Sequence, residues 1–189
     1  MKKLLMANLI MITLTNIAAG SVYAGWRPSE TETAKGHDID ITQTLSAKTI
    51  TDFKTHYSYL DIYFEKAYGY AVFPTVTKGG IGIGAAHGKG EVYEKGNYIG
   101  TADLVQVTLG LQFGGQQYSE IVFFKDKATL EDFKAGKLKL GAQASAIAAT
   151  SGVSADAAYS EGVAIATLSK SGLMYEAAIG GQKFTFKPK

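Results

Sequence analysis

The sequence predicts an α+β domain built on a strongly curved antiparallel sheet or small β-barrel, with an N-terminal amphipathic helix and one or two short helices. Three observations carry this. Several segments alternate apolar and polar residues with the period of a strand, and glycine turns separate them. One stretch, 46–66, repeats its apolar residues at steps of three and four instead, which is the helical period. The chain also has 22 glycines against 3 prolines, and glycine inside strands marks bends or close backbone approach.

Residues 1–24 have the three parts of a secretory signal: Lys2 and Lys3, an apolar run over 4–17, and the small-residue end Val22-Tyr23-Ala24. Cleavage is expected before Gly25, giving a soluble periplasmic or secreted protein. The run is broken by Asn8, Thr13, Thr15 and Asn16, and a membrane span needs about 20 mostly apolar residues. Cleavage would remove two of the 19 basic residues and none of the 17 acidic ones, leaving a formally neutral chain. A neutral chain has no global field for nucleic acid, so attraction to an anionic surface needs a local patch. There is no cysteine, hence no disulfide framework, no thiolate metal site and no lipid attachment at a signal-peptide cysteine.

Residues 25–44 are polar, with Pro28 and Trp26, and read as a flexible lead-in to a single domain over 45–189. In the helix over 46–66, Ile50, Phe53, Tyr57, Leu60 and Phe64 share one face, with Ser46 as N-cap and Gly69 just past the end. Its polar face mixes Lys48, Lys54 and Lys66 with Asp52, Asp61 and Glu65. Membrane-surface helices are rich in Lys and Arg there, so this stripe reads as core.

Seven glycines fall within 68–90. Each costs roughly 0.5–1 kcal/mol relative to alanine inside regular structure, so the group needs a reason. Gly80, Gly82 and Gly84 alternate with Ile81, Ile83 and Ala85, which reads as a strand with one bare face, packed closely or bent at a corner. A strict G-x-G-x-x-G fails at His87, and Lys89-Gly90-Glu91 opens a turn, not the helix that a nucleotide loop requires. No G-x-x-x-x-G-K-[ST] occurs.

Lys95-Gly96-Asn97 reads as a hairpin turn between 91–93 and 98–99. Val105, Val107, Leu109, Leu111 and Phe113 then alternate with Gln106, Thr108, Gly110 and Gln112, giving the cleanest strand of the chain. The apolar run Ile121-Val122-Phe123-Phe124 within 118–124 indicates burial on both faces or a tight corner. Asp126 caps a short helix through Leu130 and Phe133, and Gly136 stands at its C′ position. A small-residue strand over 138–148, a hairpin of 163–168 with 173–179, and a last strand over 183–186 complete the reading.

The histidines His37, His56 and His87 lie far apart, and none has a partner at H-x-x-x-H spacing. No serine stands in a G-x-S-x-G elbow. Neither a metal, a cofactor nor a catalytic group is expected, although a Ser, His and Asp could still converge in space.

Phe73-Pro74-x-Val76-x-Lys78-Gly79-Gly80, the glycine strand, Gly88-x-Gly90, the run Gly110-Leu111-Gln112-Phe113-Gly114-Gly115-Gln116, Phe123-Phe124 and Leu130-Glu131-Asp132-Phe133 together resemble the SYLF lipid-binding domain, over about 46–187. The resemblance implies a non-enzymatic, membrane-associated module; eukaryotic relatives bind acidic phosphoinositides, and some bind actin. The partner expected here is an anionic phospholipid or membrane surface. Lys78 matches the basic position of the family motif. With Lys89 it is the expected lipid-binding site, on a loop after Pro74 that presents exposed amides beside an ammonium. A small outer-membrane β-barrel is the alternative, although the glycine and alanine of 80–86 and 138–148 supply little apolar outer band, and an unrecognised hydrolase stands third.

Overall fold

The computed structural model describes residues 30–81, 83–109, 115–138, 140, 159–170 and 181–189. Helix α1 (Glu30–His56) leads through a short 3₁₀ turn (Ser58–Leu60) into α2 (Asp61–Lys66). Strands β1 (Gly69–Ile81), β2 (Ile83–Glu94), β3 (Asn97–Leu109) and β4 (Gly115–Phe124) follow, then α3 (Lys127–Lys134), β5 (Val163–Ser169) and β6 (Gln182–Pro188). The strands form one antiparallel sheet in the order β5-β4-β1-β2-β3-β6. The α+β class holds. Its end strands β5 and β6 do not pair with each other, so among the described residues the sheet is not closed.

Both faces of the sheet are covered near β4. On the inner face, Ala71, Phe73, Val122, Phe124, Val163, Ile165 and Leu104 pack with Leu130 and Phe133 of α3 and with Phe184 of β6. On the outer face, Val72, Ile121, Phe123, Ala164 and Ala166 pack with Phe53, Leu60 and Tyr63. The run 121–124 is therefore buried on both sides, as its unbroken apolar character requires. The apolar stripe read from 46–66 is core: Ile50, Tyr57 and Phe64 join the same outer cluster.

Two helix boundaries differ from the sequence reading. α1 begins at Glu30, so part of the supposed lead-in is helical, and Ser46 is buried inside the helix instead of capping it. The stripe is also not one helix. At Tyr57 (φ −136°, ψ 77°) the backbone leaves the helical region, and the chain turns before α2. The bend brings Phe53, Leu60 and Tyr63 together on the sheet, which a straight rod would spread along its length.

The stretch 80–86, read as one strand, is two. β1 ends at Ile81, β2 begins at Ile83, and the two residues pair, so the alternation of glycine and isoleucine belongs to both arms of a hairpin tip. The turn expected at Lys89-Gly90-Glu91 is absent, because β2 runs through it, and the close backbone approach is found at Gly88 and Gly90. A Cβ on Gly88 would lie 2.9 Å from Val76 Cγ2, and one on Gly90 would lie 2.6 Å from Phe73 Cδ1. The side chains of β1 thus lie across the bare inner backbone of β2.

Other local signals translate directly. Lys95 and Gly96 both have positive φ (49° and 79°), giving the two-residue turn between β2 and β3. Asp126 Oδ1 accepts from Thr129 N at 2.9 Å, which holds its carboxyl below the usual range and starts α3. Gly136 (φ +67°) ends it, with Lys137 N donating to Asp132 O. β5 and β6 fall where strands over 163–168 and 183–186 are expected. The strand over 173–179 and most of 138–148 lie outside the described residues, as do residues 1–24 and Trp26.

Candidate functional site

Pro74 explains why no loop follows it. Proline cannot donate to a ladder and is found in sheets at edges or bulges. Both registers of β1 shift around it, between Val72 and Thr75 on one side and between Phe73 and Val76 on the other. Its carbonyl accepts from Ser119 Oγ at 2.8 Å. The strand then continues, so Lys78 is not on a loop tip. It pairs with Ala86 and Gln116, shares the inner face with Val76, and is 6% exposed.

Lys89 is exposed on the opposite face, between Thr75 of β1 and Asp103 of β3. The register accounts for the separation. Lys78 pairs with Ala86, three positions from Lys89, and side chains alternate faces at each step. The two lysines expected in one site therefore lie on opposite sides of the sheet.

α1, the 3₁₀ turn and α2 pack over β1, β4 and β5, and α1 also meets β2, while Ala85, His87 and Lys89 of β2 stay exposed beside β3 and β6. One row across this outer surface is His87, Val105 and Lys183, the next is Lys89, Asp103 and Thr185, and Ala85 pairs with Val107 beyond. Val105 is 47% exposed and Val107 62%. Asp103 is neutralised by Lys187 at 2.7 Å, whereas Lys89 and Lys183 have no ion-pair partner among the described residues. The surface combines two projecting valines with an excess of positive charge.

This arrangement inverts the alternation of β3. Gln106 is buried (1% exposed) and Val105 and Val107 face outward. The available signal was Ala102 and Leu104, which share parity with Gln106 and line the inner face. Val105 and Val107 thus form an exposed apolar pair beside Lys89 and Lys183.

The inner face holds a buried acid that no motif announced. Glu120 of β4 is fully buried, and Gln182 Nε2 of β6 donates to its Oε2 at 2.9 Å. β1, β2 and β3 lie between these strands. In a flat sheet their backbones would stand about 19 Å apart at ordinary spacing, so the sheet folds over until its inner side chains meet. Phe73 and Phe184 meet in the same way, with ring centroids 5.7 Å apart. Burial pushes the Glu120 carboxyl up to about 7, against a smaller lowering by Gln182. Burial and the Glu120 charge likewise raise the neighbouring Tyr118 phenol.

Comparison with known proteins gives two findings. Residues 105–189 match the family model Ysc84, described as Las17-binding protein actin regulator. The chain is also 28% identical over 128 residues to beta cell expansion factor A of Aeromonas veronii, covering 64% of this chain and 46% of that protein. The chain thus spans about half the length of that relative.

Proposed function

We propose, from the match of residues 105–189 to the Ysc84 family model and the partial identity to beta cell expansion factor A, that this chain is a non-enzymatic lipid-binding module of that family that docks on acidic bilayers through the outer face of β2, β3 and β6. The observation carrying this reading is the exposure of Val105 and Val107 between Lys89 and Lys183. Valines at an interface remove apolar surface from water, and each lysine near an anionic surface contributes about 1 kcal/mol. Two lysines give roughly thirtyfold over a neutral surface, a preference that salt should weaken as screening shortens the reach of the charges. Lys89 keeps the role given to it by the sequence. Lys183 replaces Lys78 as its companion, because Lys78 is a buried residue of the inner face.

The test is flotation of the mature protein with phosphatidylglycerol vesicles and with phosphatidylcholine vesicles. Preference for the anionic vesicles is expected, together with its loss in Lys89→Glu/Lys183→Glu and a weaker binding to both vesicles in Val107→Ser. Equal recovery on both vesicles, or a double variant that still floats selectively, would remove this face from the function. The reading also includes export, supported by the signal-like pattern of 1–24. The intact mass of the exported protein is expected to begin at Gly25, and a mass retaining Met1 would count against it.

A further inference from the structure

Glu120 and Gln182 present four polar side-chain atoms, and only one pair of them is joined: Gln182 Nε2 donates to Glu120 Oε2. The two atoms left over, Glu120 Oε1 and Gln182 Oε1, are both buried and both without a hydrogen-bond partner. Two oxygens cannot bond to each other unless one carries a proton. A neutral carboxyl facing a primary amide forms two antiparallel bonds, N–H to carbonyl oxygen and O–H to carbonyl oxygen. One proton on Glu120 Oε1 would satisfy both leftover atoms. Ionised, the same pair leaves two buried acceptors unpaired, an expensive state away from water.

We propose that Glu120 and Gln182 form a proton-operated clasp, in which the neutral carboxyl holds β6 folded across to β4 and release of its proton to water lets β6 lift from the inner face.

The surroundings favour the neutral form. From β1, Phe73 stands opposite Glu120, and Lys78 is buried on the same face further along the strand, without a resolved effect on the acid. β2 presents Gly88 and Gly90 inward and turns His87 and Lys89 outward. β3 presents Gln106, β4 itself Tyr118, and β5 places Thr167 beside the acid. α3 contributes Leu130 and Phe133, with Glu131 and Asp132 exposed. Burial, the largest influence on Glu120, raises its affinity for the proton. The geometry also gives the clasp leverage. β6 is an edge strand that pairs with β3 alone within the sheet, and Gln182 joins it to Glu120 beside the packing of Phe184 on Phe73 and Phe133.

The sign follows from linkage. The folded carboxyl titrates at about 7 against 4.5 when free, so the clasp is complete at low pH and is lost as pH rises through 7. That difference amounts to roughly 300-fold in the closed-to-open ratio.

Hydrogen exchange of the β6 amides in the full chain tests this, read as protection factors so that the intrinsic pH dependence of exchange cancels. Between pH 5 and 8.5 protection over 182–188 is expected to fall by about 75-fold, the free carboxyl being already partly ionised at pH 5, while that of β1 falls much less. In Glu120→Gln, where two amides can make the same pair of bonds at any pH, β6 protection should stay level. A wild-type protein with constant protection, or a variant with the same fall, would overturn the clasp. Should that variant not fold, the carboxyl resonance of Glu120 in the wild-type chain decides: a midpoint near 7 supports the proposal and one near 4.5 overturns it. The inference does not rest on the bilayer reading, since the two use opposite faces of the sheet.

Discussion

Phe53→Asp is expected to abolish the folded state or lower the melting temperature by more than about 10 °C. Phe53 is fully buried and shares the outer cluster with Leu60, Tyr63, Val72 and Phe123. Truncating a buried phenylalanine costs about 3–5 kcal/mol through lost transfer energy and the cavity left behind. A carboxylate in that space adds a desolvation cost with no cation in the cluster to offset it. Set against a typical total of about 5–15 kcal/mol, the loss consumes most of the stability. At about 2–4 °C per kcal/mol for a domain of this size, even the lower bound is visible in a melting curve. Phe53→Leu, which keeps the site apolar, should cost much less. An unchanged curve for Phe53→Asp would mean that α1 does not pack on the sheet, and the aromatic stripe would then be free for a bilayer.

The features legible in the sequence are those fixed by local chemistry. The Lys95-Gly96 turn needs positive φ at two residues, Asp126 needs only the amide of Thr129, and 121–124 declares two-sided burial by lacking polar residues. The features missed depend on register between distant segments. Alternation cannot say which parity faces inward, and in β3 the choice is made by Ala102 and Leu104 meeting the inner cluster, which turns Val105 and Val107 to solvent. Lys78 was expected on a loop after Pro74, whereas Pro74 sits in a bulge within β1 and the strand continues past it. The Glu120–Gln182 pair was beyond reach for a stronger reason. The residues are 62 positions apart, on strands separated by three others, and meet only because the sheet folds over. Of the surface proposed to meet lipid, Lys89 was expected from the sequence. Lys183 was not, since only the pairing of β6 with β3 brings it beside Val105.

The glycines of 68–90 offer a sharper test of the fold, because two of them should respond in opposite directions. At Gly90 a Cβ would collide with the carbonyl oxygen of Val72 and lie 2.6 Å from Phe73 Cδ1. The carbonyl belongs to a paired backbone and cannot yield without disturbing the β1–β2 ladder. Phe73 is itself held between Phe184 and the inner cluster. Overpacking usually costs about 1–3 kcal/mol, and a clash with both backbone and a trapped ring belongs at or above the top of that range. Gly79 lies in the same glycine-rich stretch, yet a Cβ there meets nothing within 4 Å and the residue has no positive φ. Alanine at Gly79 should be neutral or stabilise by about 0.4–1 kcal/mol, by restricting the unfolded chain. Urea denaturation should therefore show a midpoint for Gly90→Ala well below the wild type and one for Gly79→Ala equal to or above it. Equal midpoints for the two variants would mean that β1 does not lie across the bare backbone of β2, and the reason for the glycines would have to be sought in a ligand instead of in packing.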